Sequence, residues 1–144
     1  MSSCCCSQKT EFLDDPANWP KEPIMTLPEA FADDRGEIQP VVELPMRSGM
    51  LIHTRPGGIR ANHYHKTDWH VIYVLKGQFE YYTREVGSTE EPKMIIVKAG
   101  QTLWTPPMLE HAMRYTEECD IVVFARNNRS QEEYEADVVR VKLI

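Results

Sequence analysis

GGIRANHYHKTDWHVIYVLKG, residues 57–77, decides the fold, because it joins a cluster of histidines to an apolar strand between glycine turns. Three of the five histidines in this 144-residue chain lie here. Alternate side chains of a strand share a face, so His63 and His65 point the same way, with Cα atoms about 7 Å apart. A turn over residues 66–69 returns His70 to the same side. The stretch predicts one interior faced by several imidazoles, as metal ligands, an acid–base cluster or hydrogen-bonded core residues.

Outward from this stretch, short apolar runs alternate with turn residues about every 8–12 positions, a pattern typical of an all-β sandwich or barrel. VLKGQFEYY, residues 74–82, predicts a tight hairpin with Lys76 and Gly77 in its turn. SQEEYEA, residues 130–136, predicts one helical turn, and DVVRVKLI, residues 137–144, predicts a last strand. The other predicted strands are Ile38–Leu44, Met50–Thr54, His70–Leu75, Phe79–Thr83, Met94–Val97, Ala112–Tyr115 and Ile121–Ala125.

Composition also predicts how the chain is divided. Residues 1–35 are expected to form an N-terminal tail and arm, and residues 36–144 one barrel domain. Three prolines in WPKEPIMTLPEAF, residues 19–31, break any long helix, which leaves an extended arm with a short strand at Ile24–Leu27. His70–Leu75 is apolar at every position but the first, so we expect both of its faces to be buried, beneath the arm or a second subunit. A homodimer through such strands is the expected assembly.

The charge and the cysteines narrow the classes of partner and compartment. With a formal net charge of −6 and no cluster of Lys and Arg, the chain is a poor match to nucleic acid or an anionic membrane surface. It lacks an apolar run of the roughly 18 residues that a membrane span needs and a signal-like N-terminus, so we expect a cytoplasmic protein. Cys4, Cys5 and Cys6 fit a disordered tail, with palmitoylation as the weaker alternative.

The spacing of glycines and histidines resembles the cupin superfamily. Two cupin motifs, one built on His-x-His and one on a proline followed by a histidine, match with every interval at Gly57, His63, His65, position 70, Gly77, Gly100, Pro106 and His111. The resemblance implies an all-β double-stranded β-helix, the cupin or jelly-roll barrel, with a metal at its centre. The usual glutamate ligand is a histidine here. The implied ligands of a divalent transition metal (Mn, Fe, Ni, Cu or Zn) are His63, His65, His70 and His111.

Three shorter blocks are similar to the RmlC-like sugar-nucleotide cupins. They are FADDRGEIQPVVELP, GGIRANHYHK and ARNNRSQEEYEADVVRV, at residues 31–45, 57–66 and 125–141. These relatives include keto-isomerases and 3,5-epimerases of keto-deoxysugar nucleotides. The resemblance implies that a proton is removed next to a sugar ketone and returned elsewhere, with a nucleotide sugar as the substrate.

Such a reaction needs a stabilised enolate and a base of near-neutral pKa, and two mechanisms meet this need. If a metal is bound, the histidines are its ligands, and the base must be Glu80, Glu110 or Tyr115. If the site is metal-free, His63 or His65 is the natural base and a tyrosine is the acid. Tyr115 lies four residues after the histidine of the second motif, so strand parity points it toward the cavity.

Three residues are candidates for binding the substrate. Arg60 can hold a diphosphate or carboxylate through two parallel hydrogen bonds, although its parity relative to His63 and His65 points it outward. Trp69 and Trp104 are candidates for lining the mouth of the cavity.

Two other functions stay open beside the keto-sugar isomerase or epimerase. One is a small-molecule oxygenase in which histidine-bound iron or manganese activates O₂. The other is a non-catalytic protein that binds a metabolite. Oxygen uptake would indicate the oxygenase, and entry of solvent deuterium into a keto-sugar would indicate the isomerase.

Overall fold

The computed structural model describes residues 12–144 of the chain. Within that range it contains two short 3-10 helices, Phe12–Asp14 and Pro16–Asn18, one α-helix, α1 (Gln131–Asp137), and eleven strands. The strands are β1 (Phe31–Asp33), β2 (Gly36–Ile38), β3 (Ser48–Thr54), β4 (Ile59–His65), β5 (His70–Lys76), β6 (Gln78–Glu85), β7 (Lys93–Lys98), β8 (Thr102–Thr105), β9 (Leu109–Arg114), β10 (Cys119–Ala125) and β11 (Val138–Arg140). The cysteine cluster at positions 4–6 lies outside the described residues.

Nine of these strands form two antiparallel sheets that face each other. The four-stranded sheet has the order β3-β10-β5-β8, and the five-stranded sheet has the order β11-β4-β9-β6-β7. β1 and β2 pair with each other as a separate hairpin. Buried side chains from both sheets pack in one apolar core, among them Ile72 and Val123 from the first and Phe79 and Met113 from the second. The predicted all-β fold is confirmed.

The segment before β1 crosses the edge of the four-stranded sheet beside β8. The backbone N–H of Met25 donates to the carbonyl of Thr102 at 2.8 Å, and the N–H of Trp104 donates to the carbonyl of Pro23 at 2.8 Å. A single β-bridge joins Ile24 to β8. The short strand predicted near residue 24 is therefore this bridge, because the arm contacts the sheet edge at one point.

A second apolar cluster fills the space between the arm and the outer face of this sheet. Its buried members are Leu13, Trp69, Val71 and Trp104. In β5, Val71 enters this outer cluster while the next residue, Ile72, enters the core between the sheets. Both faces of β5 are thus covered over Val71–Val74, where Tyr73 is half-buried, and the arm supplies the outer cover. The expected burial does not extend to the end of the apolar run, because Leu75 is 53% exposed.

Two predicted elements are wrong, and the strand Phe31–Asp33 was missed at the end of the predicted arm. Ile38–Leu44 is not a strand beyond Ile38, since Pro40 has no N–H to give to a ladder. Residues 74–82 are not a hairpin, because β5 and β6 lie in different sheets and the chain crosses between them at Gly77. The short strand Thr102–Thr105, next to two prolines, was not predicted.

Gly77 makes the tight crossing between the sheets, and alanine there should destabilise the fold. Its φ is +81°, and an added Cβ would collide with the backbone oxygen of Glu118. Gly87 has a similar φ of +84° with nothing within 4 Å of that position, which makes it a matched control. We expect Gly77→Ala to lower the free energy of unfolding by about 3 kcal/mol and Gly87→Ala by about 1 kcal/mol. Urea denaturation measures both, and equal losses would contradict the collision.

No helix within residues 12–144 has both the length and the apolar character needed to cross a membrane. The division into an arm of residues 1–35 and a barrel domain of residues 36–144 stays a prediction.

Candidate functional site

A cavity of about 160 Å³ lies between the two sheets. One side is apolar, with Ile72, Ile121 and Val123 from the four-stranded sheet. The polar part of the lining consists of four histidines, two arginines and two tyrosines. Three of the histidines lie on the five-stranded sheet, and His70 lies on β5 of the four-stranded sheet. Among the described residues that line it there is no aspartate or glutamate, so its proton acceptors are imidazoles and phenols.

Three histidines form the centre of the polar wall. His63 on β4 is paired in register with His111 on β9, and His65 follows two residues later on the same face of β4. The ring centroid of His63 lies 4.7 Å from that of His65 and 4.8 Å from that of His111. One ring nitrogen from each of the three lies within 4.8 Å of the others. The predicted convergence of these three imidazoles is thus present.

Hydrogen bonds orient two of these rings. His65 Nδ1 lies 3.0 Å from Asp137 Oδ2, and His111 Nδ1 lies 3.0 Å from the carbonyl oxygen of Leu109. Because both partners only accept, both Nδ1 atoms carry the proton, and Nε2 of each neutral ring keeps a lone pair. His65 Nε2 is buried and has no hydrogen-bond partner within residues 12–144. A buried nitrogen of this kind is suited to a ligand, a metal or a substrate proton.

All three central histidines are held neutral. Burial, followed by the nearby His65 and His70, lowers the pKa of His63 to about 3. Burial and the proximity of His63 hold the pKa of His111 well below its usual value. Burial also lowers the pKa of His65, although the carboxylates of Asp68 and Asp137 act to raise it. At neutral pH the site therefore offers unprotonated nitrogens.

Asp137 is the hydrogen-bond partner that orients the ring of His65. Burial acts to raise its pKa, but the hydroxyl and backbone N–H of Thr67, together with His65, outweigh burial, and the pKa of Asp137 is lowered. The backbone N–H and the hydroxyl of Thr67 each donate to Asp137 Oδ1 at 2.8 Å, and the N–H of Asp68 donates to Oδ2 at 3.3 Å. The carboxylate thus stays ionised beside the imidazole that it orients.

His70 reaches the same cavity but has a different partner. Its Nε2 lies 2.9 Å from Asp68 Oδ2, while Asp68 Oδ1 accepts the N–H of Asn127 at 2.9 Å. Its ring centroid is 4.7 Å from that of His65. His65, Asp68 and His70 also bring one possible ligand atom each within 4.8 Å of one another, but Asp68 and His70 already bond each other. His70 as a fourth ligand stays a prediction.

The histidine cluster fits a divalent transition metal. Imidazole binds such ions through an unprotonated nitrogen, and a ligating histidine usually donates its other N–H to a carboxylate or carbonyl. His65 and His111 meet both conditions, and His63 supplies a third neutral ring.

A β-bulge brings Arg60 to the cavity against its predicted parity. Ala61 and Asn62 have positive φ values of 67° and 56°, and the pairing of β4 with β9 shifts register between Ala61 and His63. The extra residue reverses the alternation, so Arg60 lines the cavity with the histidines. Its Nε donates to Thr54 Oγ1 at 2.7 Å, which ties β4 to β3.

Tyr115 lines the cavity, as predicted, and is fully buried. Its hydroxyl donates to the sulfur of Met113 at 3.3 Å. Burial, with a smaller contribution from Cys119, raises the pKa of Tyr115, and Arg60 and Thr54 oppose the rise only in part. The phenol is thus a weak acid that is already engaged within the protein.

The structure does not bring the two predicted carboxylate bases into the cavity. Glu80 alternates with the core residues of β6, so it points to the outer face, where it accepts the hydroxyl of Tyr82 at 2.8 Å. Glu110 precedes His111 on β9 and therefore faces the opposite side of the sheet. There it forms an ion pair with Arg84 Nη2 at 2.9 Å.

The two tryptophans lie outside the cavity as well, contrary to the predicted role at its mouth. Trp69 and Trp104 are 0% and 4% exposed, and their ring centroids lie 5.7 Å apart in the outer cluster under the arm. Trp69 directly precedes His70, and the alternation of β5 sends the two side chains to different surroundings.

Two cavity residues were missed by the sequence reasoning, Arg129 and Tyr134. The ring centroid of Tyr134 lies 6.2 Å from that of His63 and 6.1 Å from that of His65. The guanidinium carbon of Arg129 sits 3.8 Å above the Tyr134 ring. Ser130 and its partner Glu133 formed a recognisable capping signal for α1, but no local pattern indicated what the helix faces.

Comparison with known proteins agrees with this architecture. Residues 50–125, more than half of the chain, match the family model of the cupin domain, Cupin_2. None of the curated proteins matches the sequence.

Several solved structures share the fold. A mutant of the 3,4-ketoisomerase QdtA from Thermoanaerobacterium thermosaccharolyticum, in complex with TDP-4-keto-6-deoxyglucose, has a TM-score of 0.65 at 18% identity, over 81% of this chain and 85% of that one. A 3,4-ketoisomerase from Helicobacter canadensis has a TM-score of 0.65 at 22% identity, over 81% and 88%. The dTDP-4-dehydrorhamnose 3,5-epimerase of Sulfolobus tokodaii has a TM-score of 0.58 at 21% identity, over 74% and 71%.

Proposed function

This chain belongs to the cupin domain family, and from that premise we propose that it is an isomerase or epimerase that moves a proton next to the ketone of a keto-sugar nucleotide. The observation that carries the proposal is the His65–Asp137 pair. Nε2 of His65 has no partner within residues 12–144, and the described residues that line the cavity include no carboxylate. The fold is shared with enzymes described as sugar ketoisomerases and epimerases, which supports the class of substrate.

His65 is the proposed base. Its Nδ1–H is held by Asp137, so Nε2 presents a lone pair to the cavity, and the fixed carboxylate stabilises the imidazolium that forms. Glu80 and Glu110 cannot take this role because they face away from the cavity. A base supplied by the histidines follows from this distribution of carboxylates.

Positive groups at the cavity suit an anionic substrate. Arg60 and Arg129 line it, and neither has a carboxylate within ion-pair distance among the described residues. A planar guanidinium binds phosphate or carboxylate oxygens through two parallel hydrogen bonds. We assign Arg60 to the diphosphate of the nucleotide sugar.

The histidine nitrogens are also suited to binding a metal. His65 Nε2 cannot bind a metal and act as the base at the same time. His63, His65 and His111 would hold a divalent transition metal, and the ion would supply Lewis-acid stabilisation of the developing enolate. An ion on His65 Nε2 would occupy the lone pair that the base needs. Metal binding by the histidines thus stays a second proposal for this site.

A homodimer is part of the proposal. The β1–β2 hairpin is exposed along both strands, and its cross-strand pair Phe31 and Ile38 is 61% and 67% exposed. An isolated two-stranded hairpin is marginally stable in water, so a second subunit that covers these side chains would stabilise it.

Solvent-exchange measurements test the proposed function. Incubation of the native protein with TDP-4-keto-6-deoxyglucose in D₂O should place deuterium at the carbon next to the ketone and produce an isomer or epimer, both visible by NMR. An oxygen electrode run in parallel, with Fe²⁺ or Mn²⁺ added, tests the oxygenase alternative. Oxygen consumption without exchange would contradict the isomerase.

Metal titration separates the two uses of the histidines. If His65 is the base, we expect one equivalent of Zn²⁺ to inhibit exchange and a chelator to restore it, because the ion competes for Nε2. Elemental analysis of the native protein and the exchange rate are measured on the same sample. Loss of exchange on chelation, with recovery on adding metal, would instead show that the metal is required.

A further inference from the structure

We propose that Asn62 is a positioning residue for substrate binding. Its side chain binds the backbone of residues 143 and 144 and thereby holds the bulge of β4, and the bulge in turn directs Arg60 into the cavity. This inference rests on the proposed function, because it acts on the arginine that was assigned there to the diphosphate.

Asn62 is the extra residue of the bulge. Ala61 is paired with Ala112 of β9 and His63 with His111, which leaves Asn62 without an opposite residue in that register. Its φ of 56° lies in the left-handed region, which residues other than glycine adopt rarely. Such a backbone conformation persists where the surrounding structure holds it. The bulge therefore needs contacts outside the ladder between β4 and β9.

These contacts come from the segment that follows β11. Asn62 Oδ1 accepts the backbone N–H groups of Leu143 and Ile144, each at 3.1 Å, and Nδ2 donates to the backbone oxygen of Ile144 at 3.3 Å. The N–H of Val141 donates to the carbonyl of Asn62 at 2.9 Å. The side chain of Leu143 is buried, which anchors the segment against the protein. One side chain thus fastens the bulge to backbone that lies 81 and 82 positions away in the sequence.

The bulge decides which way Arg60 points. In a regular strand Arg60 would face away from His63, but with the extra residue it lines the same cavity. Asn62 itself is not among the residues that line the cavity. Arg60 Nε donates to Thr54 Oγ1 at 2.7 Å and Nη2 donates to the carbonyl of His53 at 3.2 Å. Its Nη1 has no hydrogen-bond partner within residues 12–144, so the guanidinium keeps N–H groups for an anion.

Asparagine meets both requirements of this position. It tolerates the left-handed backbone better than most side chains do. Its amide also combines an oxygen that accepts two hydrogen bonds with a nitrogen that donates. Glycine would adopt the same backbone without making any of the side-chain bonds. Substitution by glycine therefore separates the conformation of the bulge from the contacts that hold it.

Asn62→Gly tests the role of these contacts. We expect the affinity for TDP, measured by isothermal titration calorimetry, to fall about tenfold, and the KM for TDP-4-keto-6-deoxyglucose to rise by a similar factor. The rate of deuterium exchange at saturating substrate should stay within about threefold of native. The reason is that β11 still pairs with β4 at His65, and Asp137 still bonds the His65 ring. Native TDP affinity, or a saturating rate that falls as much as the affinity, would overturn the inference.

Arg60→Ala provides a double-mutant cycle that a merely structural role would not satisfy. This variant should lower TDP affinity by about 10–100-fold. Adding Asn62→Gly to it should change the affinity by no more than about twofold, because Asn62 acts through Arg60. Losses that multiply in the double variant would show that the two residues act independently, and would overturn the inference.

Two further variants complete the cycle. Asn62→Ser keeps one acceptor for the N–H groups, and it repeats the cycle with a smaller loss if the glycine variant is unfolded. Asn18→Gly is the matched control. It removes an asparagine side chain that donates to the carbonyl of Phe12 at 2.9 Å, in the arm, and it should bind TDP as the native protein does.

Failure of this inference and failure of the proposed function give different results. Native TDP affinity in Arg60→Ala would overturn the inference and leave the isomerase in place. A native protein that binds TDP but gives neither deuterium exchange nor product would overturn the isomerase, while the cycle still decides the role of Asn62. A native protein that does not bind TDP would overturn both.

Discussion

Replacement of His65 with asparagine is expected to lower the rate of deuterium exchange next to the ketone by about 10²–10⁴-fold, the usual contribution of a positioned base. The asparagine amide occupies the place of Nδ1 and can still donate to Asp137, so the buried carboxylate keeps a partner. Only Nε2, the nitrogen that faces the cavity, is lost. The measurement is NMR-detected exchange at saturating keto-sugar nucleotide.

A control and a contrary result define this test. His53→Asn replaces a half-exposed histidine that lies between Glu118 and Asp120, away from the cavity, and should keep the native exchange rate. Thermal unfolding of both variants establishes that each is folded. Native-rate exchange by His65→Asn would remove His65 as the base and leave His63 as the remaining candidate from the sequence.

Trp69→Ala is expected to lower the free energy of unfolding by about 3–5 kcal/mol, the range for deleting a buried tryptophan side chain. Trp69 is fully buried between the arm and the four-stranded sheet, in contact with Trp104 and Leu13. The arm packs on this cluster, so removal of the Trp69 side chain also weakens the packing of the arm against the sheet. Chemical denaturation measures the loss.

The same variant distinguishes packing from substrate binding. If Trp69 lined the mouth of the cavity, its loss would raise the KM for the keto-sugar nucleotide with little change in stability. The observed position predicts the reverse, with KM within about twofold for the fraction that stays folded at low temperature. Phe124→Ala, in the same outer cluster but only partly buried, should cost less than Trp69→Ala and provides the comparison.

Short-range patterns explain what could be predicted. His63 and His65 share a face because strand alternation is local, and His111 joins them because its strand is bounded by a proline turn at a recognisable interval. Most strands follow from apolar runs between turn residues in the same way. The apparent hairpin at residues 74–82 failed because a glycine turn looks the same whether it joins neighbouring strands or crosses between sheets.

Parity also failed where the backbone departs from regular pleating. The bulge at Ala61 and Asn62 reverses the alternation of side chains before His63. Arg60 therefore lines the cavity, although strand alternation alone predicts that it points outward. Asparagine tolerates a positive φ, but Asn62 by itself does not indicate a bulge, and alanine at position 61 does not favour one. The positive φ values become visible only in the folded chain.

The sequence by itself determined the all-β class, the convergence of three histidines and the membership of the cupin family, because each depends on local alternation or on motif intervals. Only the tertiary structure decided which groups accompany those histidines. In the folded chain the side chains of Glu80, Glu110 and the two tryptophans lie outside the cavity. Asp137 and Tyr134, from the C-terminal helix, lie next to His65. The physical reason is that β11 pairs with β4, a contact between residues more than 70 positions apart, and this pairing places the helix against His65.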